Sequence, residues 1–270
     1  MILTVDTGAT KTLLAVFDDS GRPQNEYQFA TPQDQNQYWQ ALQAAINDRF
    51  QPDGIRAIAV AVPGIVNQAG TVAWCGNLPW SDFELAELLR RQFGLPVVVA
   101  NDANAAGLAE ANAIEPVPAL CLYLTVSTGI GSGIILSGRL PAELSGSEAG
   151  HMLLSKDDQL VSWESFASGR AIHEQFGRFA YEIESTEDWL KISENLSVGL
   201  LAILPVLQPD TVVLGGSIGE HFNKFGDALN GLINQKLPPH IKRPQILPTR
   251  YGKEAVLYGC YLYARNIQTD

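Results

Sequence analysis

Two aspartates stand where strand-like runs end, and both suit proton or cation chemistry. Asp6 opens Asp6-Thr7-Gly8-Ala9-Thr10-Lys11-Thr12 after the apolar run Ile2–Val5. Asp102 follows Val97–Ala100 and begins a small-residue stretch that runs to Glu110. Glycine-bearing turns also follow strands around Gly8, at Pro63-Gly64, at Ser127-Thr128-Gly129-Ile130-Gly131-Ser132-Gly133 and at Leu214-Gly215-Gly216-Ser217. Glycine allows close backbone approach, and N–H groups exposed in such turns can cradle phosphate oxygens. Taken singly, each turn reads equally well as a tight hairpin. None fits G-x-x-x-x-G-K-[ST], and Gly129, Gly131 and Gly133 lead into a short strand-like segment, so a P-loop and a dinucleotide site are both disfavoured. Asp-Thr-Gly-Ala at 6–9 also has the form of an aspartic-protease strand end. That chemistry needs a second carboxylate to share the proton, and the corresponding turn offers only Ser127-Thr128-Gly129.

The elements that must position these groups follow from periodicity. Strands are expected at Ile2–Val5, Leu13–Phe17, Glu26–Phe29, Ile55–Ala61, Val97–Ala100, Ala119–Val126, Ile134–Leu136 and Thr211–Leu214. Helices are expected at Tyr38–Phe50, Phe83–Phe93, Ala103–Ala111, Trp163–Phe176, Thr186–Val206, Ile218–Asn234 and Lys253–Arg265. This succession describes an α/β protein. The strand–glycine turn–strand unit of residues 2–17 returns at 120–136, which suggests two related lobes. Pro116 and Pro118 mark the boundary. The expected division is residues 1–115, with the first phosphate loop, and 116–270, with the last helix able to pack back on the N-terminal lobe.

The chain has 270 residues, 46% apolar and 17% charged, enough for one large or two medium cores without a staple. Lys and Arg number 18 against 29 Asp and Glu, a net charge of −11 that argues against a nucleic-acid partner. Cys75, Cys121 and Cys260 show neither a disulfide framework nor a metal pair. No signal-like segment opens the chain, and the most apolar helical stretch, Val198–Leu207, is too short to cross a membrane. A cytoplasmic location with no membrane partner is expected.

Asp6-Thr7-Gly8-Ala9-Thr10 resembles the first phosphate loop of the actin/hexokinase/Hsp70 superfamily. Asn101–Glu110, Ser127–Gly133 and Glu148-Ala149-Gly150-His151 are similar to the ROK family of repressors and sugar kinases. Ala61-Val62-Pro63-Gly64, Ser168-Gly169-Arg170-Ala171 and Leu214-Gly215-Gly216 add to the likeness. These pieces run in family order from residue 4 to about residue 260. The resemblance implies a two-lobed actin-like (ribonuclease H-like) ATPase fold with a cleft between the lobes. It implies a glucokinase-like sugar kinase using ATP and Mg²⁺, with Asp102 as general base and Asp6 positioning Mg²⁺ through water. Gly8, Thr10, Thr128, Gly129 and Gly131 would hold phosphates, and Gly215 and Gly216 would lie beside adenosine. Asn77, Asn101, Asp102, Glu148, His151 and Glu164 match sugar-contacting positions. Glucose is the first substrate expected, with fructose and N-acetylhexosamines as alternatives. A homodimer is left open.

Each assignment has a plainer alternative. Asp102 can simply cap the Ala103–Ala111 helix. His151 can be a structural histidine, Glu164 a first-turn helix residue, and Asn77 an ordinary turn asparagine. Trp74, Trp80 and Trp163 flank the proposed sugar residues and can line a pocket or fill the core. The chain also departs from the family. Between His151 and Glu164 there is no cysteine, so the family's structural zinc is not expected. Ser127 stands where glycine is usual before Thr-Gly-x-Gly. Asp6 lies five residues after Met1, leaving no segment for the DNA-binding helix-turn-helix of the family's repressors. A catalytically silent sugar-binding regulator remains the competing class.

Overall fold

A computed structural model describes residues 1–50 and 54–267. The opening run is buried on both faces, as a central strand must be. It forms β1 (Ile2–Thr7), paired antiparallel with β2 (Lys11–Phe17) and parallel with β4 (Ala57–Val62). β3 (Pro23–Ala30) and β8 (Val97–Asn101) flank them in the order β3-β2-β1-β4-β8. α1 (Gln35–Arg49) and α2 (Leu85–Phe93) cover one face. Between β4 and α2 lies a small sheet of β5 (Gly64–Val66), β6 (Val72–Cys75) and β7 (Ser81–Phe83), which the sequence reading did not contain.

Strand alternation sorts side chains by size between the two faces of the large sheet. Leu3, Val5, Ile58, Val60 and Val62 join one apolar cluster with Tyr38, Leu42 and Leu89. The opposite face offers Ala57, Ala59 and Ala61 to Leu257, Tyr261 and Ala264. Small strand residues let the last helix lie close. That helix, α9 (Ala255–Ile267), follows Gly252 and packs on β1, β4 and β8. Gly259 is demanded there, because a Cβ would fall 1.8 Å from the Ala105 carbonyl oxygen. The chain therefore divides into two compact units: Met1–Ala109 together with the segment from Glu254, and Glu110–Lys253. α3 (Asp102–Asn112) starts in the first and ends in the second.

The second unit is built on β9 (Leu120–Val126), β10 (Ile130–Leu136), β13 (Thr211–Gly215) and β14 (Gln245–Pro248), in the order β10-β9-β13-β14. Gly131 and Gly133 thus lie inside β10, and the turn before it is confined to residues 127–129. Two helices read as continuous are each split. Ser168 is extended and its side chain accepts from Ala171 N–H, separating α4 (Glu164–Ala167) from α5 (Gly169–Phe176). His221 likewise separates α7 (Gly216–Gly219) from α8 (Phe222–Lys236). The hairpin of β11 (Leu153–Lys156) and β12 (Gln159–Ser162) occupies the interval between His151 and Glu164. It turns on Asp157 and Asp158, both with positive φ, which matches the twist of a two-residue hairpin.

α6 (Thr186–Leu207) is long and apolar enough to cross a membrane by length and composition. Its inward residues Trp189, Ile192, Leu196, Leu200 and Leu204 instead fill this unit's core beside Phe225 and Leu229. Gly199 lets the fully buried Trp163 lie against the helix, since a Cβ would come within 2.1 Å of the indole. Trp80 is also core, tilted on Tyr38 at 4.5 Å and donating from Nε1 to the Gln33 carbonyl at 2.8 Å. Only Trp74 of the three flagged tryptophans is exposed, at 50%.

Candidate active site

In the first unit, β1 delivers Asp6 to the head of a tight turn. Gly8 N–H donates to the Lys11 carbonyl at 2.9 Å, and a Cβ on Gly8 would approach that oxygen at 3.1 Å. The turn is held from outside by Thr31, whose hydroxyl donates to the Gly8 carbonyl at 2.8 Å and whose N–H donates to the Thr10 carbonyl at 3.0 Å. Gln33 Nε2 adds a bond to the Ala9 carbonyl at 3.2 Å. Thr7 and Tyr38 share a buried hydroxyl contact of 2.7 Å on the strand itself.

β8 and α3 deliver Asn101 and Asp102. Asn101, not Asp102, makes the i to i+3 cap, its Oδ1 accepting from Asn104 N–H at 3.0 Å. Its Nδ2 donates to the Gly64 carbonyl at 3.1 Å, tying the helix start to β5. Asp102 Oδ1 accepts from Ala103 N–H at 2.8 Å. One donor and one acceptor site of Asn101 remain for a ligand. The two aspartates feel each other: the Asp6 carboxyl is pushed up to about 7, first by loss of water, then by the Asp102 charge, with Lys11 opposing. Asn77 is exposed on the loop after β6. The buried Cys75 thiol beside it donates to the Pro63 carbonyl at 2.8 Å.

In the second unit, Glu148, His151 and Glu164 converge. His151 Nε2 lies 3.6 Å from Glu164 Oε1, and the half-buried Glu148 carboxyl is raised by loss of water. His151 lowers the Glu148 carboxyl and Glu164 raises it. Glu164 reaches the phosphate-type turn as well, its Oε2 accepting from Ile130 N–H at 3.2 Å. A Cβ on Gly129 would stand 2.6 Å from that oxygen, so a side chain there would displace the Glu164 carboxylate. Gly150 is equally constrained, 2.1 Å from the Ile130 carbonyl oxygen. Thr128 is exposed at the tip, while Gly131 lies in β10 opposite Thr125.

Sequence reasoning missed Ser132. Its buried hydroxyl donates to the Ser147 carbonyl at 2.9 Å and accepts from Ala149 N–H at 3.0 Å, bracketing Glu148 from both sides. Only its alternation with glycines inside a strand could have signalled this.

Gly215 ends β13 against Tyr123, and Gly216 begins α7 at φ +76°. A Cβ on Gly216 would meet the Val126 carbonyl at 2.5 Å and Ser127 Oγ at 2.7 Å. At the C-terminal ends of β13 and β14 a cavity of about 510 Å³ opens between Gly219, Glu220, Phe222, Asn223 and residues 248–252. Ligands of open α/β sheets bind outside such strand ends. One wall is fixed by the buried Glu110, which accepts from Thr249 Oγ1 at 2.5 Å, Arg250 N–H at 2.8 Å and Tyr251 N–H at 2.9 Å.

In the first unit, the chemistry of the Asp6 carboxyl fits a divalent cation. Loss of water and the Asp102 charge raise its proton affinity, a cost that a bound cation would relieve. Among the described residues, no group of three or more His, Cys, Asp or Glu could hold a metal ion by itself. The three cysteines are buried and unpaired.

Two α/β units with glycine turns at their strand ends define the two-lobed actin-like ATPase fold. The ROK family matches residues 2–267, and the chain belongs to it. Members are mostly sugar kinases, with transcriptional regulators among them. The N-acetylmannosamine kinase of Vibrio cholerae is 31% identical over 95% of this chain and 96% of its own. The xylose repressor of Caldicellulosiruptor bescii is 26% identical over 77% of this chain, which spans only 62% of the repressor's length. The ROK hexokinase structure from Thermus thermophilus superposes with a TM-score of 0.78, at 28% identity over 100% of this chain and 99% of that one.

Proposed function

We infer that this protein is an ATP-dependent sugar kinase that phosphorylates a hexose hydroxyl, with glucose as the first substrate to try. The observation that carries the reading is the pair of carboxylates near the C-terminal ends of β1 and β8, the two strands that flank β4 in one sheet. Asp6 has a raised proton affinity that a cation would relieve, and Asp102 stands at the head of α3, whose i to i+3 cap is Asn101. A pure sugar-binding module needs neither. Bound Mg-ATP would supply the phosphoryl group and neutralise its charge. Asp102 would take the proton as the sugar oxygen bonds to the γ-phosphorus, while the bond from that phosphorus to the ADP oxygen breaks. Asp6 would fix the metal through water, and the glycine turns with Thr10 and Thr128 would align the phosphates. Gly215 and Gly216 would border adenosine, beside the strand-end cavity.

Asn77, Asn101, Asp102, Glu148, His151 and Glu164 would bind sugar hydroxyls. Matched donors and acceptors at several hydroxyls reject an analogue lacking one far better than a merely apolar wall could. The 31% identity to an N-acetylmannosamine kinase favours N-acetylhexosamines as the second class to test, and fructose follows. The likeness to a xylose repressor keeps a silent sugar-binding regulator as the competing reading.

The test is ADP release from Mg-ATP against a panel of hexoses, pentoses and N-acetylhexosamines, with the product identified by mass. A phosphorylated sugar is expected. No product from any of them, combined with sugar-dependent thermal stabilisation, would favour the regulator. In the same assay Ser132→Ala should raise the sugar KM about tenfold with kcat nearly unchanged. Its loss leaves a buried Ala149 N–H without its acceptor, a penalty of about 1–3 kcal/mol. An unchanged KM would show that Glu148 does not depend on this bracket.

A further inference from the structure

Ser127 is the residue at which the donor-side elements of the second unit are tied together. Its N–H donates to the Gly129 carbonyl at 2.9 Å and closes the turn after β9. Its carbonyl accepts from Gly169 N–H at 2.6 Å, at the start of α5. Its hydroxyl oxygen accepts from Ser217 N–H at 3.0 Å, in the first turn of α7. Gly216 is pressed against the same hydroxyl, with no space for a Cβ between them. The two backbone bonds survive any substitution, but the bond to Ser217 is made by the side chain alone. It satisfies one of the N–H groups that every helix start leaves without an internal acceptor.

We propose that the Ser127 hydroxyl is a positioning residue for the phosphoryl donor, setting the spacing between the Thr128-Gly129 turn and the Gly215-Gly216-Ser217 turn. This rests on the reading above, in which the first turn holds phosphates and the second borders the nucleoside. A nucleotide has a fixed span, so two turns held at the matching distance bind it without a further ordering cost. Without the hydroxyl the two turns lose their side-chain hydrogen bond and keep only packing contacts and the strands behind them. The half-buried site lets water satisfy Ser217 N–H, so overall stability changes little while the spacing loosens. The sugar side is held by other bonds, from Ser132 to the Glu148 turn and from Glu164 to Ile130, and does not depend on this hydroxyl.

The test is calorimetric binding of Mg-ADP, and separately of the sugar that the panel identifies, to wild type, Ser127→Ala and Ser127→Thr, with thermal melting of each protein. Ser127→Ala should bind Mg-ADP about tenfold more weakly, with sugar affinity and melting temperature at wild-type values. Ser127→Thr keeps the hydroxyl and should stay within about threefold of wild type. Wild-type nucleotide affinity in Ser127→Ala would overturn the proposal. So would equal losses of nucleotide affinity, sugar affinity and melting temperature, which mark a general structural role. A wild-type protein that binds no Mg-ADP would overturn the donor reading itself, and this proposal with it.

Discussion

Asn in place of Asp102 should leave a folded protein that binds its sugar and turns over at least about 10²-fold more slowly. The substitution is nearly isosteric. Its Oδ1 still accepts from Ala103 N–H, the 2.8 Å bond that seats the side chain at the head of α3. The cap of that helix belongs to Asn101 and is untouched. What changes is the other edge of the group, where an amide N–H replaces a carboxylate oxygen and cannot take the proton of the attacking hydroxyl. Removing a positioned general base costs about 10²–10⁴ in rate. The comparison to make is kcat at saturating sugar and Mg-ATP, alongside the sugar Kd by calorimetry. Wild-type turnover in Asp102→Asn would remove Asp102 from the chemistry. A collapse in sugar affinity with kcat preserved would make it a binding residue only.

The strand-end placement of Asp6 and Asp102 was legible because motif and element coincide. Asp6 and Asp102 each end a run of β-branched and apolar residues, and a strand buried on both faces writes itself as such a run. The two opposed cores were partly legible too, since Ala57, Ala59 and Ala61 alternate with Ile58, Val60 and Val62. That alternation separates a helix-receiving face of small residues from one that needs bulk. The alternation itself does not name the helix that comes to the small face, although the last helix is expected to be able to pack back on this lobe. The answer, α9, lies about 200 residues away, and Gly259 shows its reason only when the Ala105 carbonyl is seen against it.

Three features escaped for different physical reasons. The hairpin of β11 and β12 and the small sheet of β5, β6 and β7 are short and mostly half-exposed, with weak alternation. Helix periodicity ran through Ser168 because helical residues lie on both sides of it, and the break depends on its extended backbone and on the Gly169 bond to Ser127. Ser127 reads from sequence only as a departure from the family's usual glycine, and Ser132 as one residue among glycines. Their importance lies in partners 90 and 15 residues distant, which no local pattern encodes. The site residues that hold other site residues were thus the least visible.

Asp6→Asn should make the ligand-free protein more stable at alkaline pH, by an amount that fades on acidification, while it removes nearly all turnover. The folded-state Asp6 carboxyl is raised to about 7, against 3.8 for the ordinary group. Below the lower value both folded and unfolded chains carry the proton and nothing is lost. As pH rises between the two, the unfolded chain gives up its proton while the folded one keeps it, so stability falls by about 1.4 kcal/mol per pH unit. Above about 7 the full penalty is present, a few kcal/mol at most. Burial is its main cause and the Asp102 charge the second, while Lys11 relieves part of it. Tyr38 and the Cys260 thiol sit close enough to feel the Asp6 charge, and both are themselves raised by burial, so neither titrates through this range. Asparagine has no proton to lose. In chelator-treated protein without sugar, Asp6→Asn should therefore melt several degrees above wild type at pH 8 and within about a degree of it near pH 4.5. The retained penalty is what a site built for a cation looks like when stability and activity pull apart. A melting difference that does not vary with pH would refute the strained state of Asp6. Unchanged turnover with Mg-ATP would separate that strain from metal positioning.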